Sequence, residues 1–470
     1  SKNASTYLNP QNVDLDALSP AEKYDRLEDY YNNKQYDSLS YYAYKNNKWV
    51  EAIRPLRNPT YKAVEFYTAK LLPSTTLEII CKKDTVKAAI EQVHKWSNIN
   101  ENKELFARNL ALFGDLFLKA TIEDGKAYIE SIPAKYVTSY KQNKRGYLDE
   151  IRIDIPMIDE MTEQSYIYTE YWNKEYFSVW KNTQGAGTAL EQLGDPISFG
   201  YLGEFGIDFV PFVYVRFSAL DSSSRGKSCI EHAIAKIDEA NRLVTRLHQL
   251  QFRNNKPTWV VNSNKVDEKT GKFIAAPLLN KGDATLEEND ILYMSGLSDI
   301  KSLVPDLNYA DALAILNAQL EEISNDLPEV KWFEIKDGSI SGKALKLILQ
   351  PAIEKATRAQ SNLVAGLIRI DEMLLTMGIY AGIFKNIGTY QAGDFEHSFN
   401  LQPMFPMDLE EKALLIKTLH VEASLPLSST LKIVGFTQEQ IDEILKAKIE
   451  EESNQSNALA TALVNKYNAE

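Results

Sequence analysis

Apolar residues recur at helical spacing towards both ends of the chain and alternate with polar residues in between. Residues 20–33, PAEKYDRLEDYYNN, open with Pro20 at a first helical position and predict a helix. Ala63, Phe66, Tyr67 and Leu71 share one face of a second helix over 59–72, and further helices follow around 84–97 and 101–114. The period then drops to two. Residues 115–140, 150–156 and 165–182 alternate, with EDGK and WNKE at the turns, and predict an antiparallel meander rather than βαβ units. GIDFVPFVYVRF (206–217) adds a strand with a proline near its start.

From Gly226 the helical period returns. Ile230, Ile234, Ile237, Ala240, Val244 and Leu247 form one stripe that runs to about Phe252, and Pro257 then opposes further helix. TWVVNS and KFIAAP flank NKVDEKTG as a candidate hairpin, and DILYM (290–294) is a third short strand. A second stripe, Tyr309, Leu313, Leu316, Leu320 and Ile323, closes at Pro328. Two helices, each ~30–40 Å long at ~1.5 Å per residue, thus bracket a small β-rich insert and predict a projecting helix pair with a small domain at its tip. The last long helix runs from near Ser341 to about Met377, with Leu345, Ile348, Leu349, Ala352, Ala356, Leu363, Leu367 and Leu374 on its apolar face. Pro351 lies inside it and predicts a kink. Residues 408–470 form a separate helical module, in which Gly435 ends one short helix and TQEQ (437–440) caps the next. The fold class expected is α+β, predominantly helical.

Composition narrows the function classes. A net charge of -13 argues against a protein that grips nucleic acid by neutralising its phosphates. No apolar run reaches the ~18 residues of a membrane span, and the first residues lack the apolar core of a secretory signal. Cys81 and Cys229 cannot build a disulfide framework and read as small buried residues. The 25 tyrosines suit partly buried subunit interfaces, where a ring packs and a hydroxyl keeps a partner.

No enzyme motif is complete in the sequence. Gly338 and Gly342 precede a helix and suggest a phosphate loop, but only three residues separate them, and Ala344 stands where the magnesium-binding hydroxyl belongs. A turn at Gly338, a helix cap at Ser341 and close packing at Gly342 explain the stretch better. His94, His232, His248, His397 and His420 show no metal-ligand spacing and read as structural, with His397 on a strand or loop without chemistry. The hydroxyl-rich SALDSSSRGKS (218–228) reads as a loop leading into a helix cap, not a nucleophile. No catalytic residue, metal or cofactor is expected.

The order of parts resembles the portal proteins of tailed double-stranded DNA bacteriophages. Ser324, Pro328, Ser341, Gly342, Ala344, Leu345 and Lys346 carry the match, in a segment that ends one helix at Ser-x-x-x-Pro and starts another at Ser-Gly-x-Ala-Leu-Lys. LRNPTYKAVEFYTAKLL resembles the helix that an Asn introduces in the portal wing. The alternating stretch from Phe113 to Val137 resembles the portal β-meander, KIDEANRLVTRL the first stem helix, and residues 408–440 the crown helices. The resemblance spans roughly residues 20–450, but the tip insert does not align.

This resemblance implies a portal fold assembled as a ring. Its parts are a wing (1–226), a first stem helix (227–254), a small α/β clip (255–306), a second stem helix (307–327), a tunnel loop (328–341), a long kinked helix with the remaining wing (342–407) and a crown (408–470). It implies a tunnel loop that faces DNA through Lys331, Trp332, Phe333, Lys336, Asp337, Gly338 and Ser339. Ser341, Gly342 and Lys343 then start the helix that bends at Pro351. The partners implied are the chain itself, about twelve copies in a ring, and double-stranded DNA passing without sequence preference. The terminase large subunit, a head–tail adaptor, the major capsid protein and a scaffolding protein complete the set, with no membrane. The site implied is a capsid vertex of the virion, assembled in the host cytoplasm. Two other readings remain open, a soluble cytoplasmic enzyme with a scattered site and another minor head or connector protein.

Overall fold

The structure is a computed structural model. It describes residues 18–37, 42–45, 48–51, 57–73, 76–159, 163–220, 223–254, 259–263, 266–272, 291–295, 309–334, 342–388, 394–401, 404, 409–436 and 440–453. In chain order these hold α1 (Pro20–Tyr31), β1 (Tyr42–Lys45), β2 (Lys48–Glu51), α2 (Thr60–Leu71), β3 (Glu78–Cys81), α3 (Asp84–Trp96) and α4 (Ile99–Phe113). Strands β4 (Asp115–Glu123), β5 (Lys126–Ile132), β6 (Val137–Gln142), β7 (Leu148–Ile158), β8 (Ser165–Asn173), β9 (Tyr176–Asn182), β10 (Ser198–Tyr201) and β11 (Phe212–Arg216) follow. Then come α5 (Ile234–Asn254), β12 (Trp259–Ser263), β13 (Ile291–Ser295), α6 (Tyr309–Asp326) and the single turn α7 (Lys331–Glu334). The chain continues with α8 (Gly342–Ile348), α9 (Gln350–Tyr380), β14 (His397–Asn400), α10 (Leu409–Ile416) and α11 (Leu427–Val434). They divide into two compact units, residues 1–66 with 220–336, and residues 67–219 with 337–470.

In the first unit, α1 begins where Pro20 predicts. Ser19 and Glu22 close a reciprocal capping box around it. Its buried Tyr24, Leu27 and Tyr30 lie one helical turn apart. Asn58 explains the start of α2. Its Oδ1 accepts from the Thr60 hydroxyl at 2.7 Å and from the Thr60 amide, while its Nδ2 donates to the Tyr30 carbonyl at 2.7 Å. One side chain thus caps a helix and ties it to the end of α1.

Helices α5 and α6 pack together as their stripes predict. Lys236, near the start of α5, reaches Glu322 and Asp326 at the end of α6, both at 2.7 Å, so the two helices run antiparallel. The shared face is shorter than expected. Ile230, Ile234, Ile237, Leu316 and Ile323 are buried, but Leu313 is 52% exposed. The tip insert also departs from a simple hairpin, because β12 pairs with β13 in parallel register. A turn does form at 267–271, where the Gly271 amide donates to the Asp267 carbonyl; most of KFIAAP lies outside the described residues.

In the second unit the meander is two sheets rather than one. Strands β4 and β5 pair with β11 in the order β11-β4-β5, and β6 to β10 form a five-stranded sheet in the order β10-β9-β8-β7-β6. The change occurs at Pro133, which cannot donate to a ladder and leads into a single 3-10 turn. Phe117 of β4 stacks on Tyr214 of β11 at 4.4 Å, and Tyr140 of β6 meets both rings edge-on, so aromatic packing joins the two sheets.

Helix α9 lies across β11, β4 and β5. Gly366 permits the close approach, since a Cβ there would sit 2.3 Å from the Val215 Cγ2. The expected single kinked helix is instead two. Helix α8 stops at Ile348, Leu349 takes a non-helical conformation (φ -94°, ψ 2°), and α9 starts at Gln350. Pro351 therefore sits in the first turn of α9, where its missing N–H has no intrahelical partner to lose. Buried Leu349, Ala352, Ala356, Leu363, Leu367 and Leu374 carry the core face expected, whereas Ile348, expected on the same face, is exposed and Leu345 only partly buried.

Candidate functional site

The residues named for the channel fall partly inside the described chain. Helix α6 ends at Asp326, and after Leu327 the residues Pro328–Val330 form a 3-10 turn that leads directly into α7. The first half of the expected tunnel loop is therefore helical, not open loop. Proline at the first position of the 3-10 turn favours this, because its φ is already helical. Leu327, Pro328, Glu329 and Val330 are buried, whereas Trp332 and Phe333 are partly exposed and Lys331 reaches Asn325. Lys336, Asp337, Gly338, Ser339 and Ser341 lie outside the described residues. Gly342 and Lys343 open α8.

Helix α5, which packs on α6, is anchored to α1 by a polar cluster that spacing along the chain does not reveal. Asp238, buried on α5, accepts hydrogen bonds from the Tyr30 hydroxyl at 2.5 Å and the Tyr36 hydroxyl at 2.6 Å. Arg26 adds an ion pair at 3.5 Å. One helical turn on, Asn241 accepts from the Arg57 amide at 2.7 Å and donates to the Arg57 carbonyl at 2.8 Å. Burial, and then the charge of Asp238, push the Tyr30 and Tyr36 hydroxyls well above the usual tyrosine range. Both therefore stay protonated and remain donors. Close by, Glu231 pairs with Lys23 at 3.2 Å and Lys227 at 2.7 Å, joining α1 to the start of the α5 region. Partly exposed Lys236 is held charged by its hydrogen bonds to Asp326 and Glu322.

Two of the five histidines meet, which their spacing did not suggest. In the second unit, Asp371 of α9 is fully buried, and His94 of α3 lies 2.9 Å from its Oδ2. The Nε2 of His397 on β14 approaches the same oxygen at 3.4 Å, a contact electrostatic in character rather than a hydrogen bond, and its Nδ1 faces the Phe395 carbonyl at 2.8 Å. Phe399 stacks on His94. Burial opposes a charge on Asp371, but the two imidazoles outweigh it and hold the carboxyl below the usual range. Burial likewise opposes a charged His397, and the Asp371 carboxylate outweighs that too, raising the imidazole. His397 does sit on a strand, as expected, yet it belongs to an ionic cluster tying α3, α9 and β14 together.

Among the described residues, no group of three or more His, Cys, Asp or Glu is placed to hold a metal ion. Among them too, no helix is long and apolar enough to cross a membrane. Of the cysteines, Cys229 is buried and Cys81 only partly so, its Sγ 3.6 Å from the Glu396 carbonyl.

Residues 18–457 match a family model described as phage portal protein, SPP1 Gp6-like. No curated protein matches the chain. Among solved structures, a chain in the virion of a native gene transfer agent particle is similar at 12% identity and a TM-score of 0.43, over 82% of this chain and 91% of that one. A chain in the neck of the native particle, computed with C12 symmetry, gives 12% identity and 0.37 over 81% and 90%. A chain in the neck of the empty particle, computed with C6 symmetry, gives 11% and 0.36 over 81% and 90%.

Proposed function

The chain belongs to the SPP1 Gp6-like family of phage portal proteins, and from that membership we propose that it forms a ring at one capsid vertex of a virion. About twelve copies surround an axial channel. A separate terminase pumps double-stranded DNA inward through it, the same channel later releases the DNA, and a head–tail adaptor docks on its outer end. The major capsid protein and a scaffolding protein contact the ring during assembly in the host cytoplasm. The protein is the conduit and not the motor. The observation that carries this reading is the family match across residues 18–457, nearly the whole chain, rather than over one motif.

Within the ring, α5 and α6 serve as the stem, residues 255–306 as the clip, the N-terminal region through 226 with part of 342–407 as the wing, and 408–470 as the crown. Residues 331–339 face the DNA. Lys331 and Lys336 meet phosphates while Glu334 and Asp337 keep the segment neutral, so contacts form and break without trapping a polyanion. The acidic chain as a whole favours the same non-adhesive passage.

Electron micrographs of the purified protein test the ring. Particles with an axial hole, several-fold heavier than the 53.3 kDa chain, are expected. Deletion of residues 332–339 tests the channel. It should leave rings of normal size by light scattering and lower the amount of packaged DNA that resists nuclease. Normal packaging without the segment would sink its contact with DNA, and loss of the ring would make it a structural element instead.

A further inference from the structure

The five-stranded sheet has two unlike edges. At one edge β10 pairs only with β9. Ile197, Phe199 and Tyr201 stand exposed along it, and Phe205 in the next turn is exposed as well. Such an edge pairs with other chains unless it is charged, bulged or covered. The charge here has one sign. Between Lys181 and Arg216 there is no Lys or Arg, while Glu191, Asp195, Glu204 and Asp208 all point to solvent.

The opposite edge is β6. Beyond its end, in the turn to β7, Arg145 joins Arg216 from the end of β11 and Arg369 from α9 around a cleft of about 240 Å³. No carboxylate lines this cleft. The Arg369 guanidinium lies 4.3 Å above the Tyr147 ring, and that of Arg216 lies 5.4 Å from Tyr214 and donates to the Gln142 Oε1 at 3.0 Å. Cation–π contacts hold two of the guanidinium groups at the cleft, and a guanidinium's forked N–H donors suit carboxylates. A chain of net charge -13 thus concentrates three cations where no acid of its own lines the walls.

We propose that the cleft of Arg145, Arg216 and Arg369 receives the acidic, aromatic β10 edge of a second copy of this chain, with Glu204 among the carboxylates it binds. The inference rests on the ring reading above. The two surfaces differ: one is the β10 edge of the five-stranded sheet, and the other lies where β6, at the far edge of that sheet, meets β11 and α9. Contact between them is head-to-tail, and such contact repeats from copy to copy and closes into a ring when the rotation allows. Exposed apolar side chains supply buried area, and charge complementarity supplies register and speed of association.

Charge reversal tests the pairing. Arg369→Glu, Arg145→Glu and Glu204→Arg are each expected to raise the subunit concentration at half-assembly by about tenfold or more, read by sedimentation velocity. Glu204→Arg combined with either arginine reversal is expected to recover assembly to within a few-fold of the parent. Arg145 and Glu204 are exposed, so that pair reports on docking rather than folding, and unchanged melting of the dissociated subunits checks this. Single variants that assemble like the parent, or double variants no better than the singles, would overturn the pairing while leaving the ring intact. Rings of normal affinity with weakened binding of a short DNA duplex in Arg369→Glu would show that the cleft takes phosphate instead. A parent protein that stays monomeric would remove both the pairing and the ring.

Discussion

Replacing Asp238 by Ala removes the acceptor shared by Tyr30, Tyr36 and Arg26. All three partners remain, and Tyr30 is 1% exposed, so its hydroxyl cannot turn to water. Removing one partner from a buried charged cluster costs about 3–5 kcal/mol. The two hydroxyl bonds alone support that range, since a bond to a charged group contributes about 1.5–3 kcal/mol. At roughly 2–4 °C per kcal/mol for a unit of this size, the melting transition of the first unit should fall by about 6–20 °C. Differential scanning calorimetry reads that shift. Tyr30→Phe alone should cost less, because Asp238 keeps its other two partners, and combining it with Asp238→Ala should cost clearly less than the sum. The alkaline limb adds a check of sign. Raised tyrosine pKa values give stability that is present below the ordinary value near 10 and lost as pH rises beyond it. Asp238→Ala should weaken that alkaline loss. A shift below about 2 °C with unchanged alkaline behaviour would refute the anchoring role.

Leu316, only 6% exposed, should cost about 2–5 kcal/mol when cut to Ala, whereas Leu313→Ala should cost far less; equal effects by urea titration would contradict the observed face of α6. Stability contributed by His397 is present below its ordinary value of 6.5 and lost as pH rises through the raised one, while that of Asp371 is lost as pH falls below 3.8. Urea titrations at about pH 5.5 and 8.5 should find the parent more stable at the lower pH and His397→Gln nearly indifferent, with a flat parent profile counting against the cluster. Pro351→Ala should destabilise slightly, by about 0.4–1 kcal/mol, because a first-turn proline restricts only the unfolded chain. Stabilisation on thermal melting would place it in a helix interior after all.

Periodicity made most elements legible, and it failed in identifiable ways. The starts of α1 and α3, the alternation of β4 to β9 and the α5 stripe all follow from local spacing, since each element buries one face of its own. The break at Leu349 leaves no mark in the spacing, because residues from 342 to 374 share a continuous apolar pattern, and only the first-turn preference of Pro351 distinguishes two helices from one. The division of the meander into two sheets depends on β11, which enters from more than seventy residues beyond β5. The site was harder. Asp371 and its two histidines lie 277 and 26 positions apart in sequence, and Asp238 meets Tyr30 across 208. Spacing rules see a few turns at most, so clusters assembled by tertiary packing carry no local mark.

The restart at Leu349 also bears on how the chain tolerates change in length. In one unbroken helix, adding a residue turns everything beyond it by about 100°, so Ala352, Ala356 and Leu363 would swing off the sheet. Here a proline sets where α9 begins, and its register is counted from that point. Segments upstream can gain or lose residues without rephasing the helix that rests on β4, β5 and β11. Relatives of this chain should therefore vary in length before the position of Leu349 and hold it constant from Ala352 to Leu375, leaving the preceding segment free to diversify over an unchanging body.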